Sequence, residues 1–150
     1  MRRFAVLVVA ILVAIPGGAV AAKTRTIKTT GVIKGHDAQP AAPDGSYAFA
    51  GFVSDKKAGE GAITTQGTIE GTSSTGTFTS FFDKGTQRGT FTLSATLNAD
   101  GTVSVTGTTK VKGGTGAYRG ARGGGTLTGT IDAEGYTTFE YANTVKLPKR

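Results

Sequence analysis

The amino-acid sequence predicts an all-β protein, folded as an eight-stranded antiparallel β-barrel. Threonine is the most frequent residue and glycine follows with 24 copies, and the β-branched threonine side chain suits a pleated, half-exposed surface. Turn signals recur at intervals of roughly 10–14 residues, a spacing typical of antiparallel sandwiches and barrels. Between the turns, inward and outward residues alternate with a period of two, so each strand has one buried and one wet face. Closing eight such strands into a barrel removes exposed edges.

The first 21 residues have the pattern of a cleaved export signal. Arginines at positions 2 and 3 precede an apolar run over residues 4–15, and residues 19–21 supply the small side chains of a cleavage site. The apolar run is shorter than the roughly 20 residues that cross a bilayer. We therefore expect a secreted or extracytoplasmic protein whose mature form has no membrane span.

Residues 22–150 are then expected to form a single barrel domain. Removal of the two arginines lowers the formal net charge from +7 to +5. The chain has no cysteine, so the domain must be held by its core and its backbone hydrogen bonds rather than by disulfides.

The first half of the chain contains four predicted strands. The first covers residues 26–34, and a loop rich in proline and glycine follows over residues 35–45. The expected inward residues of the four strands are Ile27, Thr29, Gly31 and Ile33; Tyr47, Phe49, Gly51 and Val53; Ile63, Thr65, Gly67 and Ile69; and Phe78, Ser80 and Phe82.

The second half repeats this pattern, and the fifth strand has the most regular alternation of all. A turn at residues 98–101 leads from it into the sixth strand, and a turn at residues 132–135 leads from the seventh strand into the eighth. The expected inward residues are Gly89, Phe91, Leu93, Ala95 and Leu97; Val103, Val105, Thr109 and Val111; Leu127, Gly129 and Ile131; and Phe139, Tyr141, Asn143, Val145 and Leu147. Inward glycines at 31, 51, 67, 89, 107 and 129 suit the sharp coiling of a small barrel.

A glycine-dense connection lies between the sixth and seventh strands. Seven of the thirteen residues from 113 to 125 are glycine, and Tyr118 stands in the middle. Glycine tolerates positive φ and close backbone approach, so this stretch predicts a sharp corner with Tyr118 packed against the sheet as a plug. The signature residues Gly113, Gly114, Gly116, Tyr118, Gly120 and Gly123 resemble the GGTG-x-aromatic-x-GA-x-G signature of the allene oxide cyclase and dirigent β-barrel family.

The resemblance implies an eight-stranded antiparallel barrel, and members of that family are often trimers. Plant members include an oxylipin cyclase and proteins that steer radical coupling of phenols. The present chain, short and without cysteine, is similar to the uncharacterised exported bacterial branch. The catalytic or steering residues of the family lie outside the signature, so catalytic residues remain unassigned here.

The ionisable residues do not converge on the predicted lumen. The alternation turns Glu70, Glu140, Arg88, Lys110 and Lys146 outward and puts Asp83, Asp100 and Asp132 at strand ends. With no carboxylate expected to face inward, a hydrolase is disfavoured. His36, the one histidine, is followed by Asp37 in the predicted loop. Such a pair can act as a base or as half of a metal site, but no second histidine or cysteine exists to complete a metal site. Because a lone histidine in a loop is usually solvent-exposed, we expect His36 to be exposed.

Two further motifs have ordinary explanations. The glycines at 114, 116 and 120 lack the spacing, the following lysine and the helix of a phosphate-binding loop, so no cofactor is expected. Arg119 and Arg122 stand in sequence that resembles the RGG segments of nucleic-acid-binding proteins. Two such arginines are few for that role, and the chain is expected to be exported. We therefore interpret them as solvated turn residues and expect no nucleic-acid partner.

Four polar residues are candidates for a lumen site: Tyr47, Tyr141, Asn143 and Tyr118. They can orient a small apolar ligand, or they can bond one another and the backbone in a packed core. A ligand-binding or structural role is favoured over an isomerase, cyclase or coupling-guide activity, and a structural or adhesive envelope protein is a third class. A charged side chain inside the lumen would favour chemistry.

Several apolar residues fall on the outward face. On the first two strands these are Val32, Ala48, Ala50 and Phe52, and Phe81 is outward on the fourth. If the first two strands are neighbours, Val32 approaches Ala50 or Phe52. We therefore expect a weak homo-oligomer, a trimer or a dimer, seated on these strands.

Overall fold

The computed structural model describes residues 23–39 and 41–149, and the expected signal at residues 1–21 lies outside them. Within the described residues the chain forms eight strands and one turn of 3₁₀ helix, Gly116–Tyr118. The strands are β1 (Thr24–Gln39), β2 (Ser46–Asp55), β3 (Gly59–Glu70), β4 (Ser73–Phe82), β5 (Gly85–Leu97), β6 (Val103–Gly114), β7 (Arg122–Ile131) and β8 (Tyr136–Pro148).

These strands close into a barrel in chain order. Each strand pairs antiparallel with the next, and β8 pairs antiparallel with β1 to complete the ring. The predicted fold class is therefore confirmed. Among the described residues, no helix has the length and apolar character needed to cross a membrane.

The first strand is longer than the sequence indicated. His36 and Asp37 were expected in a loop, yet they pair with Ala50 and Phe49 of β2, and His36 also pairs with Tyr136 of β8. Pairing with β8 reaches His36 and pairing with β2 continues through Asp37, and these backbone hydrogen bonds offset the weak strand propensity of the segment. A bulge between Asp37 and Gln39 then ends the regular pairing.

The glycines on the inward face lie under large side chains of neighbouring strands. Tyr141 is the direct cross-strand partner of Gly31, and a β-carbon at Gly31 would clash with its ring. The same relation joins Phe78 to Gly89, Leu93 to Gly107, Phe139 to Gly129 and Tyr47 to Gly67. Each large side chain thus fills the space that its glycine partner leaves inside the barrel.

The two ends of the barrel differ. At the plugged end, the segment between β6 and β7 folds inward and buries Tyr118 and Ala121 against Val111, Val145 and Leu147. At the opposite end, which we call the mouth, the inward face opens to solvent. Leu97 was expected to be buried, but it lies at this end and is 73% exposed, whereas Phe91 near the middle of the same strand is buried as predicted.

Candidate ligand cavity

A cavity of about 200 Å³ occupies the barrel interior. Its walls are mainly apolar, with buried Phe49, Phe91 and Leu127 among them. It reaches the surface at the turn between β3 and β4, where the exposed residues Thr72 and Ser73 line it. The interior is therefore incompletely filled by side chains.

Three of the four predicted lumen residues line this cavity: Tyr47, Tyr141 and Asn143. Tyr118 does not share it, because it lies in the plug, where its ring packs against Phe82 at a centroid distance of 5.8 Å. The prediction that Tyr118 plugs a corner of the barrel is confirmed.

Tyr47 stands near the mouth on β2. Its ring crosses over Gly67 on β3, and its hydroxyl shares a 2.7 Å hydrogen bond with the Ser74 hydroxyl on β4. Burial raises the pKa of the Tyr47 phenol, and the negative charge of nearby Asp37 raises it further. Tyr47 is thus a neutral hydroxyl on the cavity wall.

Asn143 lies deeper, on β8. Its side chain crosses over Gly125 on β7, and its Oδ1 accepts a 2.7 Å hydrogen bond from the Thr109 hydroxyl on β6. No described residue accepts a hydrogen bond from the Asn143 amide nitrogen. That nitrogen is available as a donor on the cavity wall.

A buried carboxylate, Asp55, contradicts the expectation that no acidic group faces inward. Asp55 ends β2 and is only 6% exposed. Tyr141 donates to its Oδ2 at 2.5 Å and Thr29 donates to its Oδ1 at 2.6 Å. The alternation of inward residues on the second strand, extended by one step beyond Val53, would have found it.

Asp55 also shapes the turn that follows it. Its Oδ1 accepts hydrogen bonds from the backbone N–H groups of Lys57 at 2.7 Å and Ala58 at 2.8 Å, which is a common role for aspartate at a turn. Burial acts to raise the pKa of Asp55, but the hydrogen bonds from Thr29, Tyr141 and the turn outweigh it and hold the pKa below its usual value. Asp55 is therefore an ionised carboxylate whose partners are all supplied by the protein.

The phenol of Tyr141 is fixed in its neutral form by the same contact. Burial raises its pKa well above the usual value, and hydrogen bonding to the Asp55 carboxylate raises it further. Because its proton is directed at Asp55, Tyr141 presents its ring and the lone pairs of its oxygen to the cavity.

A second acidic side chain, Asp37, lines the cavity at the mouth. It lies on the inward face of β1, opposite Phe49. Its side chain is exposed at the rim of the cavity. Partial burial of the carboxyl group raises its pKa, and the charge of neighbouring His36 acts in the opposite direction. The sequence alternation missed Asp37 because β1 continues into the segment that was predicted to be a loop.

His36 is exposed, as predicted, although it belongs to β1 rather than to a loop. Its Nδ1 lies 3.0 Å from the carbonyl oxygen of Asp37 and its Nε2 lies 3.1 Å from that of Glu134. The ring also makes an edge contact with Tyr136 at 5.1 Å. Hydrogen bonds to the carbonyls of Asp37 and then Glu134 raise the pKa of His36. The described residues contain no cluster of three or more potential metal ligands.

The glycine-dense connection has the conformation that its composition requires. Gly116 and Gly120 have φ values of +54° and +74°, which residues with a β-carbon rarely adopt. Arg122 closes the connection by donating from its guanidinium to the carbonyls of Lys112 and Ala121. This arginine therefore holds the plug in addition to carrying surface charge.

The outward apolar residues form a row that differs from the predicted one. Phe52 on β2 pairs with Ala62 on β3, which pairs with Phe81 on β4, and all three are exposed. Strands β1 and β2 are neighbours as expected, but the partner of Val32 is Ser54 and that of Phe52 is Lys34. The apolar row thus runs from β2 toward β4 rather than toward β1, because the register offsets Val32 from Phe52 by two residues.

Fold and cavity together define the class: a small closed β-barrel with an apolar interior cavity and a few polar groups on its wall. Comparison of the chain with models of protein families, with curated proteins and with solved structures finds no match.

Proposed function

We propose that this protein binds a small, mainly apolar molecule inside its barrel. The observation that carries the proposal is the cavity of about 200 Å³ that reaches the surface at the mouth. An apolar protein cavity of roughly 150 Å³ is large enough to hold benzene. A ligand with one ring and a short side chain suits this space.

The polar groups on the wall support the same proposal. Binding sites for small molecules combine an apolar lining with a few placed hydrogen-bonding groups. Here those groups are the Tyr47 hydroxyl, the Asn143 amide nitrogen and the oxygen of Tyr141. Each side chain is held by a partner on another strand, so its orientation is set before a ligand arrives.

We also propose that the protein is exported and related to the allene oxide cyclase and dirigent barrels. The signal pattern at residues 1–21 supports export, and the closed eight-stranded barrel is the fold that the glycine signature implies. Amino-terminal sequencing of exported material should find a start at Ala22 or Lys23. Retention of Met1 would contradict the export proposal.

Ligand binding is tested with the protein purified from its own source. Native mass spectrometry should show a retained small molecule, and 2-phenylethanol should bind the emptied protein in ligand-observed NMR. Ala95→Phe fills the cavity, since Ala95 lines it, whereas Ser94→Phe adds the same ring to the exposed face of β5. Only Ala95→Phe should abolish binding; equal binding by both folded variants would contradict the proposal.

An isomerase-type activity is the second candidate, and Asp37 is the observation that favours it. A carboxylate on the cavity wall with a raised pKa is a potential acid or base for proton transfer. This candidate predicts that the retained molecule is converted to an isomer by the unmodified protein and not by Asp37→Asn.

A further inference from the structure

The two inward carboxylates have opposite surroundings. Asp55 receives hydrogen bonds from two hydroxyl groups and two backbone N–H groups. The Asp37 carboxylate receives no hydrogen bond and no ion pair from the side chains or backbone of the described residues. It therefore lines the cavity with its hydrogen-bonding capacity unused by this part of the chain.

Asp37 is exposed to solvent at the rim of the cavity, so its charge is hydrated without a partner from the protein. The same exposure leaves the carboxylate accessible to the charged group of a molecule that enters the cavity. Asp37 stands on the inward face of β1 at the mouth, close enough to Tyr47 for its charge to affect that phenol. The Tyr47 hydroxyl shares its hydrogen bond with Ser74, and no hydrogen bond joins it to Asp37.

We propose that the cavity selects a small aromatic or aliphatic amine, whose protonated amino group pairs with Asp37 while its apolar body fills the interior. This inference rests on the proposed ligand-binding function and names the class of ligand. The formal net charge of the chain is +7, and it stays positive at +5 without the two arginines of the expected signal, so the overall field disfavours cations. Selection of a cation must come from the local carboxylate at the mouth.

The length of the cavity and the positions of the polar groups on its wall fit this class of ligand. The cavity extends from Asp37 and Tyr47 at the mouth to Tyr141 and Asn143 deeper in the barrel, with apolar residues between them. An amine with a single ring and a short linker can place its charge at the rim and its ring among Phe49, Phe91 and their neighbours. The charged group remains partly solvated there, which limits the cost of desolvation.

Two probes that share the 2-phenylethyl group and differ in their polar group test the inference. One is 2-phenylethylamine, which is cationic at neutral pH, and the other is 2-phenylethanol, which is neutral. Titration calorimetry at low salt should show the amine binding about two- to fivefold more tightly, in line with a partly exposed charge pair. Added sodium chloride should reduce this preference, because salt screens charges near the surface.

Three variants test whether Asp37 causes the preference for the amine over the alcohol. Asp37→Asn should lose the preference for the amine while keeping its affinity for 2-phenylethanol, and Asp37→Glu should retain the preference. Asp83→Asn removes an exposed carboxylate at the plugged end and should behave like the unmodified protein. Circular dichroism confirms that each variant is folded.

The outcomes separate the two proposals. If 2-phenylethanol binds and Ala95→Phe blocks it, but the amine binds no more tightly, the inference about amines is overturned and the cavity proposal stands. If Asp37→Asn keeps the amine preference, the inference is equally overturned. If neither probe binds the emptied protein, both proposals fail.

Discussion

Tyr141 on β8 donates a 2.5 Å hydrogen bond to Asp55 on β2, although β1 separates their two strands. The contact is made because the residue between them in register is Gly31, the direct partner of both. Asn143 reaches Thr109 over Gly125 in the same way. Glycine positions inside the barrel therefore decide which polar residues meet across non-adjacent strands.

Loss of the Tyr141 hydroxyl should destabilise the protein. Tyr141→Phe keeps the ring over Gly31 but removes a donor from the buried Asp55 carboxylate, a loss of about 1.5–3 kcal/mol for a hydrogen bond to a charged group. Urea unfolding measures the difference. Tyr136→Phe is the matched control, since Tyr136 is 61% exposed; if both variants lost the same stability, the contact would be unimportant.

Absorbance titration of the tyrosines offers a second test of this pair. The raised pKa of Tyr141 means that its phenol stays protonated where an ordinary tyrosine ionises, near pH 10. Its contribution to stability is complete below that pH and is lost as the pH rises toward the folded-state pKa. The tyrosinate signal of the folded protein at 295 nm near pH 10.5 should therefore be almost unchanged in Tyr141→Phe. A clear drop in that signal would show that Tyr141 ionises normally.

Asp55 should make the barrel acid-sensitive. Its pKa is lowered in the folded state, so its contribution is complete above the unfolded-state value of about 3.9 and is lost as the pH falls through the folded-state pKa. The stability difference between the unmodified protein and Asp55→Asn should be constant from about pH 7 to 5 and should shrink below about pH 4. Asp44 and Asp100 also have lowered pKa values, but both variants share them. A difference that grew on acidification would contradict this assignment.

Local patterns in the sequence predicted the number of strands and the inward faces of their central parts. The period-two alternation placed Phe91 and Val105 inside the barrel, and the glycine spacing indicated closure. The alternation failed at strand ends, since burial there depends on which loops cover the end. Leu97 is exposed at the mouth, whereas Asp55 is buried beside the plug.

The contacts between residues far apart in the chain could not be predicted from the sequence, for a different reason. Tyr141 and Asp55 are 86 positions apart, and their contact depends on the closure of β8 onto β1 in one register. Asp37 lines the cavity because pairing with β8 as far as His36, and with β2 through Asp37 itself, extends β1 past its expected end. Alternation within one segment carries no information about either relation.

The fifth strand offers a direct test of the register. Phe91→Ala should cost about 3–5 kcal/mol, because it removes a buried ring that covers Gly76 and leaves a cavity. Thr92→Ala, on the exposed face of the same strand, should change stability by about 0.5 kcal/mol or less. Chemical unfolding of both variants measures this contrast; a larger loss for Thr92→Ala would show that the faces are exchanged.

The last prediction concerns association. Phe52 is 76% exposed, and with Ala62 and Phe81 it forms an apolar row across three strands. Water contact with such a row is unfavourable, and a second copy of the chain can cover it symmetrically. We therefore expect a weak homo-oligomer seated on β2, β3 and β4, and Phe52→Lys should dissociate it by placing a charge at the contact.

Sedimentation velocity over a range of concentrations measures this association, and circular dichroism shows whether the variants keep the fold. Thr128→Lys is the matched control, because it adds the same charge to an exposed position on β7, away from the row. It should leave the assembly unchanged, so that loss of association in both variants would indicate a general charge effect. A monomer at every concentration of the unmodified protein would refute the prediction, because the apolar row would then stay uncovered.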